Sequence, residues 1–137
     1  MSNKIVVFSC SWDGWSCIDA AANAGMPYPA SVTVIKLPCL SGIDAGLILH
    51  ALEYGADGVL LLGCKPHECR HGRYGENIEI EFDKARQLLT LLGENSDRVR
   101  LARLDAFDGG GFIETVKSFD AALEYKAKVT APTGNKS

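Results

Sequence analysis

The apolar residues of this chain follow two patterns that alternate along its length. Four short runs, rich in β-branched residues and leucine, have the length of buried strands. They span residues 4–9, 31–37, 58–63 and 99–104. Between them, apolar residues recur every three or four positions, which is typical of helices that bury one face. The chain is therefore predicted to alternate strands with helices.

The helices are predicted at four places. The first is a weak segment over 18–24, and the second begins near Ser41, where Ser41-Gly-Ile-Asp44 resembles a capping box. The clearest helix spans 76–92, and the last follows the glycine run at 109–111. Residues 126–137 lack periodicity and are predicted to form a C-terminal tail that is flexible or ordered against a partner.

The order of these elements predicts an α/β fold with one small parallel sheet. Parallel strands need a crossover, which is usually a helix, so helices are expected on both faces of the sheet. We expect about four strands in the order 2-1-3-4, in a flavodoxin-like or Rossmann-like arrangement. A length of 137 residues without repeats or linkers fits a single domain, predicted over 1–125.

Composition excludes several classes of function. Hydrophobic residues make up 47% and charged residues 23%, as in ordinary globular proteins. A net charge of −3 and a pI of about 5.6 argue against nucleic-acid binding, which needs a basic surface. No apolar run approaches the roughly 18–20 residues of a membrane span. The N-terminus lacks the pattern of a signal peptide, so a cytoplasmic protein is expected.

Five cysteines are the most informative residues. Cys10 and Cys64 come directly after the first and third predicted strands, and Cys39 follows the second across Pro38. Cys69 follows Cys64 across Lys-Pro-His-Glu. The carboxyl ends of parallel strands share one edge of the sheet, where ligands bind. These four thiols are therefore predicted to converge. Cys17 lies in the first crossover and could face either this site or the core.

Converging thiolates suit zinc or the iron of iron–sulfur clusters. Zinc sites commonly show paired Cys-x-x-Cys spacings, which this chain lacks, so ligands drawn singly from several loops favour a cluster. Two alternatives stay open. The cysteines could simply pack in the core, or Cys64–Cys69 or Cys10–Cys17 could cycle through a disulfide.

Five stretches of the chain resemble the MvhD/FlpD family, the iron–sulfur delta subunit of methyl-viologen-reducing hydrogenase. The resemblance covers about residues 3–125. The stretches are Phe8-Ser-Cys10-Ser-Trp12, Leu37-Pro38-Cys39-Leu-Ser-Gly42, Gly55-Ala-Asp57-Gly58-Val-Leu-Leu-Leu-Gly63-Cys64, Cys64-Lys-Pro-His-Glu-Cys69 and Asp97-Arg98-Val-Arg-Leu.

The resemblance implies an electron-transfer subunit with one [2Fe–2S] cluster and no independent catalysis. The family relays electrons between a hydrogenase or formate dehydrogenase and the flavin subunit of a heterodisulfide reductase, within a hetero-oligomeric complex. Asp13 replaces the second cysteine of the family's first motif, which leaves Cys10, Cys39, Cys64 and Cys69 as the implied ligands. The alternative within the same complex is a bridging subunit without a cluster.

Aromatic and basic residues surround the implied ligands. Trp12 and Trp15 lie beside Cys10 and could form an interface or pack over the sheet edge. Lys65, Arg70 and Arg73 make the third loop basic, so it could dock an acidic partner or be an ordinary solvated loop.

Overall fold

Strands and helices alternate through the computed structural model, which describes residues 3–10, 13–26, 28, 31–37, 43–63 and 74–130. Within those ranges, four strands form one parallel sheet in the order β2-β1-β3-β4. The predicted α/β fold and strand order are confirmed. The elements are β1 Ile5–Cys10, α1 Asp13–Asn23, β2 Val32–Leu37, α2 Ala45–Glu53, β3 Gly58–Gly63, α3 Tyr74–Leu91, a short 3-10 turn Ser96–Arg98, β4 Val99–Arg103 and α4 Gly109–Thr130.

Helices cover both faces of this sheet, because successive strand residues point to opposite sides. Ile5 and Val7 of β1 pack with α1 and α4, whereas Phe8 packs with α2 and α3. The third strand is buried along its whole length. Two fully buried phenylalanines of α4, Phe112 and Phe119, form much of the α1/α4 layer. Truncation of either to alanine would cost about 3–5 kcal/mol, as for other buried aromatic side chains.

The connections leave the sheet in opposite directions from its two central strands. After β1 the chain crosses to the edge strand β2, and after β3 it crosses to the other edge strand, β4. The crevice between the carboxyl ends of β1 and β3 is therefore the topological switch point, the usual ligand-binding position in open α/β sheets.

Three helix boundaries differ from the sequence-based prediction. Helix α1 begins at Asp13, five residues before the predicted start. Helix α2 is capped by Asp44, whose carboxylate accepts a hydrogen bond from the backbone N–H of Leu47 at 2.8 Å; Ser41 lies outside the described residues. Helix α4 continues to Thr130, because lysine and alanine favour a helix and no glycine or proline occurs from Phe112 to Ala131.

Candidate functional site

The carboxyl ends of three adjacent strands lie side by side at the switch point. Cys10 is the last residue of β1 and is paired in register with Leu37, the last residue of β2. Its neighbour Ser9 is paired with Leu62, so β3 ends at Gly63 on the other side of β1. Adjacent strands are separated by about 4.8 Å. The last residues of β2 and β3, Leu37 and Gly63, are therefore close to Cys10. The chain segments that carry Cys39 and Cys64 begin after these two residues.

Three of the four predicted ligands lie beyond these strand ends. Cys39 is two residues after Leu37, and Cys64 directly follows Gly63. Cys39, Cys64 and Cys69 lie outside the described residues, so the convergence of all four thiols stays a prediction. The ends of β1, β2 and β3 lie side by side, as that prediction requires.

Cys10 itself is held at the junction between β1 and α1. Its side chain is 3% exposed and packs with the apolar residues of the α2/α3 layer. The backbone N–H of Gly14, in the first turn of α1, donates a hydrogen bond to the Cys10 Sγ at 3.2 Å. This hydrogen bond fixes the Cys10 sulfur at the N-terminus of α1, where the first backbone N–H groups have no partner within the helix.

Gly14 is required by the close approach of α1 to the sheet. A Cβ atom at this position would lie 2.7 Å from the Leu62 carbonyl oxygen and 2.9 Å from the Ser9 Oγ. The Ser9 side chain is fully buried and donates a hydrogen bond to the Cys10 carbonyl oxygen at 2.9 Å. Gly14 was not among the residues predicted from the sequence; the signal was a glycine four residues after a cysteine at a strand-to-helix turn.

Cys17 lies in the core and on the other side of the sheet from Cys10. It is fully buried in the α1/α4 layer, where its Sγ donates a hydrogen bond to the carbonyl oxygen of Asp105 at 3.0 Å. Of the two positions left open by the sequence, the structure favours the core. Its placement in a different layer from Cys10 also argues against a disulfide relay between these two thiols.

An arginine–glutamate ion pair lies at the same edge of the sheet. Arg103, the last residue of β4, is paired in register with Gly63, the residue before Cys64. Its side chain is only 16% exposed and forms an ion pair with Glu79 of α3 at 3.3 Å. Cys64 directly follows Gly63 in the sequence, so the Arg103–Glu79 pair lies at the strand end from which the loop carrying Cys64 begins. Arg103 is on the same face of β4 as the apolar residues Val99 and Leu101. A charged residue on an otherwise apolar strand face was the available sequence signal.

The aromatic and basic residues predicted around the site are only partly described. Trp15 is partly buried against the α1/α4 layer, and the Lys36 Nζ lies 4.5 Å from its ring centroid. This arrangement favours packing over the sheet edge for Trp15. Trp12 and the basic residues of the third loop lie outside the described residues; the latter are Lys65, Arg70 and Arg73.

No group of three or more metal-ligating side chains occurs among the residues whose positions are described. Of the four predicted ligands, only Cys10 is among the described residues, so this result applies to none of the other three. No helix in the described part of the chain is both long and apolar enough to cross a lipid bilayer.

Comparison with known proteins identifies one family over nearly the whole chain. The family profile described as "Methyl-viologen-reducing hydrogenase, delta subunit" (FlpD) matches residues 5–125. The vhu iron-sulfur subunit of the F420-non-reducing hydrogenase of Methanocaldococcus jannaschii is 32% identical over 124 residues, which is 90% of this chain and 92% of that protein. The corresponding subunit of Methanococcus maripaludis is 36% identical over 115 residues, 82% of this chain and 84% of that protein.

A second kind of relative contains a similar segment as a small part of a longer polypeptide. One subunit of the ferredoxin:CoB-CoM heterodisulfide reductase of Methanosarcina mazei is 30% identical over 120 residues. The match covers 88% of this chain but only 15% of that protein, the long reductase subunit. A domain like this one therefore occurs both as a separate subunit and within a much larger chain.

Proposed function

This chain belongs to the family of the methyl-viologen-reducing hydrogenase delta subunit, and on that basis we propose that it is an electron-transfer subunit carrying one [2Fe–2S] cluster. The observation that carries the proposal is the alignment of three strand ends at the switch point. Cys10 terminates the first, while Cys39 and Cys64 follow the other two.

In this proposal Cys10, Cys39, Cys64 and Cys69 hold the cluster as thiolates. Such a cluster, when bound, accepts and releases a single electron. The chain's own residues set the conditions for that step. The N–H group of Gly14 would donate to the Cys10 sulfur of a bound cluster, and the Arg103 guanidinium, which is paired with Glu79, lies at the same edge. Hydrogen bonds to sulfur and nearby charges are the usual means by which proteins set cluster potentials.

We further propose that the protein acts within a hetero-oligomeric complex. The relatives are subunits of hydrogenases and of a heterodisulfide reductase, which supports partners of these two kinds. The electron donor would be a hydrogenase or a formate dehydrogenase-type enzyme. The acceptor would be a heterodisulfide reductase-like flavin subunit. The proposal includes a cytoplasmic location and no nucleic-acid partner.

Anaerobic purification of the full chain tests the proposal. We expect a brown protein with about two iron atoms and two labile sulfides per chain, as a [2Fe–2S] cluster requires. Reduction with dithionite should produce the electron paramagnetic resonance signal of a one-electron-reduced cluster.

A colourless protein without iron would overturn the cluster assignment. Thiol counts before and after treatment with a reductant would then separate the two alternatives. An increase on reduction indicates a disulfide relay, in which Cys64 and Cys69 are the candidate pair. An unchanged count indicates a bridging subunit without redox chemistry.

A further inference from the structure

The loop between β4 and α4 carries an aromatic ring in an unusual position. Phe107 has a φ of 63°, and it is the one residue other than glycine with a positive φ among those the structure describes. Bulky side chains rarely adopt this backbone conformation, so a strained phenylalanine at this position needs an explanation. The residue is 75% exposed and therefore contributes little to the core.

Hydrogen bonds from both neighbouring helices hold this loop in place. The backbone N–H of Phe107 donates to the Ser16 Oγ of α1 at 2.8 Å, and the Cys17 thiol donates to the Asp105 carbonyl oxygen at 3.0 Å. On the other side, the Asp108 carboxylate caps α4 by accepting from the Gly111 N–H at 2.8 Å. The fold thus fixes the backbone that presents the ring, which lowers the entropic cost of binding a partner.

Three exposed acidic residues lie in this loop and on the helix that holds it. Asp105 and Asp108 flank Phe107 in the loop and are exposed. Asp19, also exposed, is one turn after Ser16 on α1, the helix that holds the loop. An aromatic anchor among carboxylates is complementary to an apolar pocket bordered by lysine or arginine.

The loop lies near the position of the proposed cluster. It follows the end of β4, at the same edge of the sheet as Cys10 and Gly63. The start of α1 binds the Cys10 sulfur through Gly14, and the same helix binds the loop through Ser16. A protein bound to the Phe107 ring would therefore lie beside the carboxyl edge of the sheet, where β1 ends at Cys10.

We infer that Phe107, Asp19, Asp105 and Asp108 form a docking surface, which we call the Phe107 surface. Its partner would be a protein similar to the long reductase subunit. The inference rests on the proposed function. This occupant is chosen because relatives of this chain occur within the long reductase subunit itself, where the domain and the rest of that polypeptide are held together covalently. The Phe107 surface is acidic, whereas the loop at 65–73 is basic, so the two would serve different partners.

The test measures binding of the iron-loaded full chain to the purified long reductase subunit of the same organism. Phe107→Gly removes the ring and relieves the positive φ, so the variant should fold with an unchanged or higher melting temperature. We expect its affinity to fall about tenfold or more, as for the loss of an interface anchor. Phe107→Tyr, which keeps a ring, should bind within about threefold of the original protein. Asp19→Lys should slow association at low ionic strength and have a smaller effect in high salt.

Leu91→Ser is the matched control. Leu91 is 82% exposed but ends α3, at the opposite edge of the sheet, so this variant should bind normally. Wild-type affinity in Phe107→Gly, with iron content intact, would overturn the inference alone. Failure of the iron-loaded wild-type chain to bind the long reductase subunit would overturn both the inference and the proposed acceptor. A wild-type chain without iron would instead refute the proposed cluster. In that case, comparing the affinities of the wild-type chain and Phe107→Gly for the same partner would still test the Phe107 surface.

Discussion

The backbone N–H of Gly14 lies 3.2 Å from the Sγ of Cys10 and donates a hydrogen bond to it. This contact joins the first turn of α1 to the last residue of β1, at the point where the sheet edge opens to the proposed site. Because the donor is a backbone group, it stays in place only while α1 keeps its close approach to the sheet. The absence of a side chain at residue 14 permits that approach.

Gly14→Ala should therefore destabilise the protein and deplete the proposed cluster. The added methyl group would meet the Leu62 carbonyl oxygen at 2.7 Å and the Cys10 Sγ at 3.2 Å, so α1 must move away. Overpacking of this kind costs about 1–3 kcal/mol. Thermal unfolding and iron content measure the two effects. Gly110→Ala is the control, because nothing lies within 4 Å of its added Cβ and alanine favours the helix; this variant should be at least as stable as the original.

Replacement of single cysteines should separate cluster ligands from core residues. Cys64→Ser should abolish or severely deplete the cluster, since Cys64 directly follows the central strand β3. Cys17→Ser should leave iron content near normal, because Cys17 lies in the α1/α4 layer. Iron and sulfide analysis of both variants after anaerobic purification is the measurement. Loss of iron in Cys17→Ser would show that the ligand set is wrong.

Loss of the Arg103 charge should make the cluster harder to reduce. Reduction of the proposed cluster would add a negative charge at the sheet edge, and the guanidinium of Arg103, whose side chain is 16% exposed, would stabilise it. Arg103→Met should shift the midpoint potential to a more negative value with iron content unchanged, as followed in a spectroscopic redox titration. Arg100→Met is the control, because Arg100 is stacked over Phe119 on the opposite face of the sheet. Equal shifts in both variants would indicate a general charge effect without a specific role for Arg103.

Glu81 should contribute a pH-dependent part of the stability. Its carboxylate accepts a hydrogen bond from the Ala45 N–H at 2.9 Å and forms an ion pair with Lys84 at 3.1 Å. These two contacts, the Ala45 hydrogen bond first, lower the pKa of Glu81 below its ordinary value of 4.5. A pKa that is lower in the folded than in the unfolded state stabilises the fold above the unfolded value. That stabilisation is lost as the pH falls through the folded value.

The melting temperature of Glu81→Gln should therefore lie below that of the original protein at pH 7. The difference should shrink as the pH falls below about 4.5. Asp83→Asn, which changes an exposed carboxylate on the same helix, should show little difference at either pH. A gap for Glu81→Gln that stays constant with pH would show that the carboxylate charge is unimportant to the contact between α2 and α3.

The sequence alone determined the order of elements and the strand order of the sheet. Buried parallel strands consist of continuous apolar runs, such as 58–63, and amphipathic helices repeat every three or four residues, so both leave strong local signals. Right-handed crossovers and the placement of chain connections then leave few topologies for four strands. The position of Cys10 at the carboxyl edge follows from the same pattern, because it depends only on where a strand ends.

Contacts between distant parts of the chain were decided by the tertiary structure. The need for glycine at residue 14 depends on the Leu62 carbonyl oxygen, and the burial of Cys17 depends on its packing between α1 and α4. The positive φ of Phe107 is maintained by Ser16, which is 91 residues earlier in the chain. Local periodicity reports which face of an element is apolar, but it contains no information about which atoms another element brings within hydrogen-bonding distance. Those distances exist only after the helices have packed on the sheet.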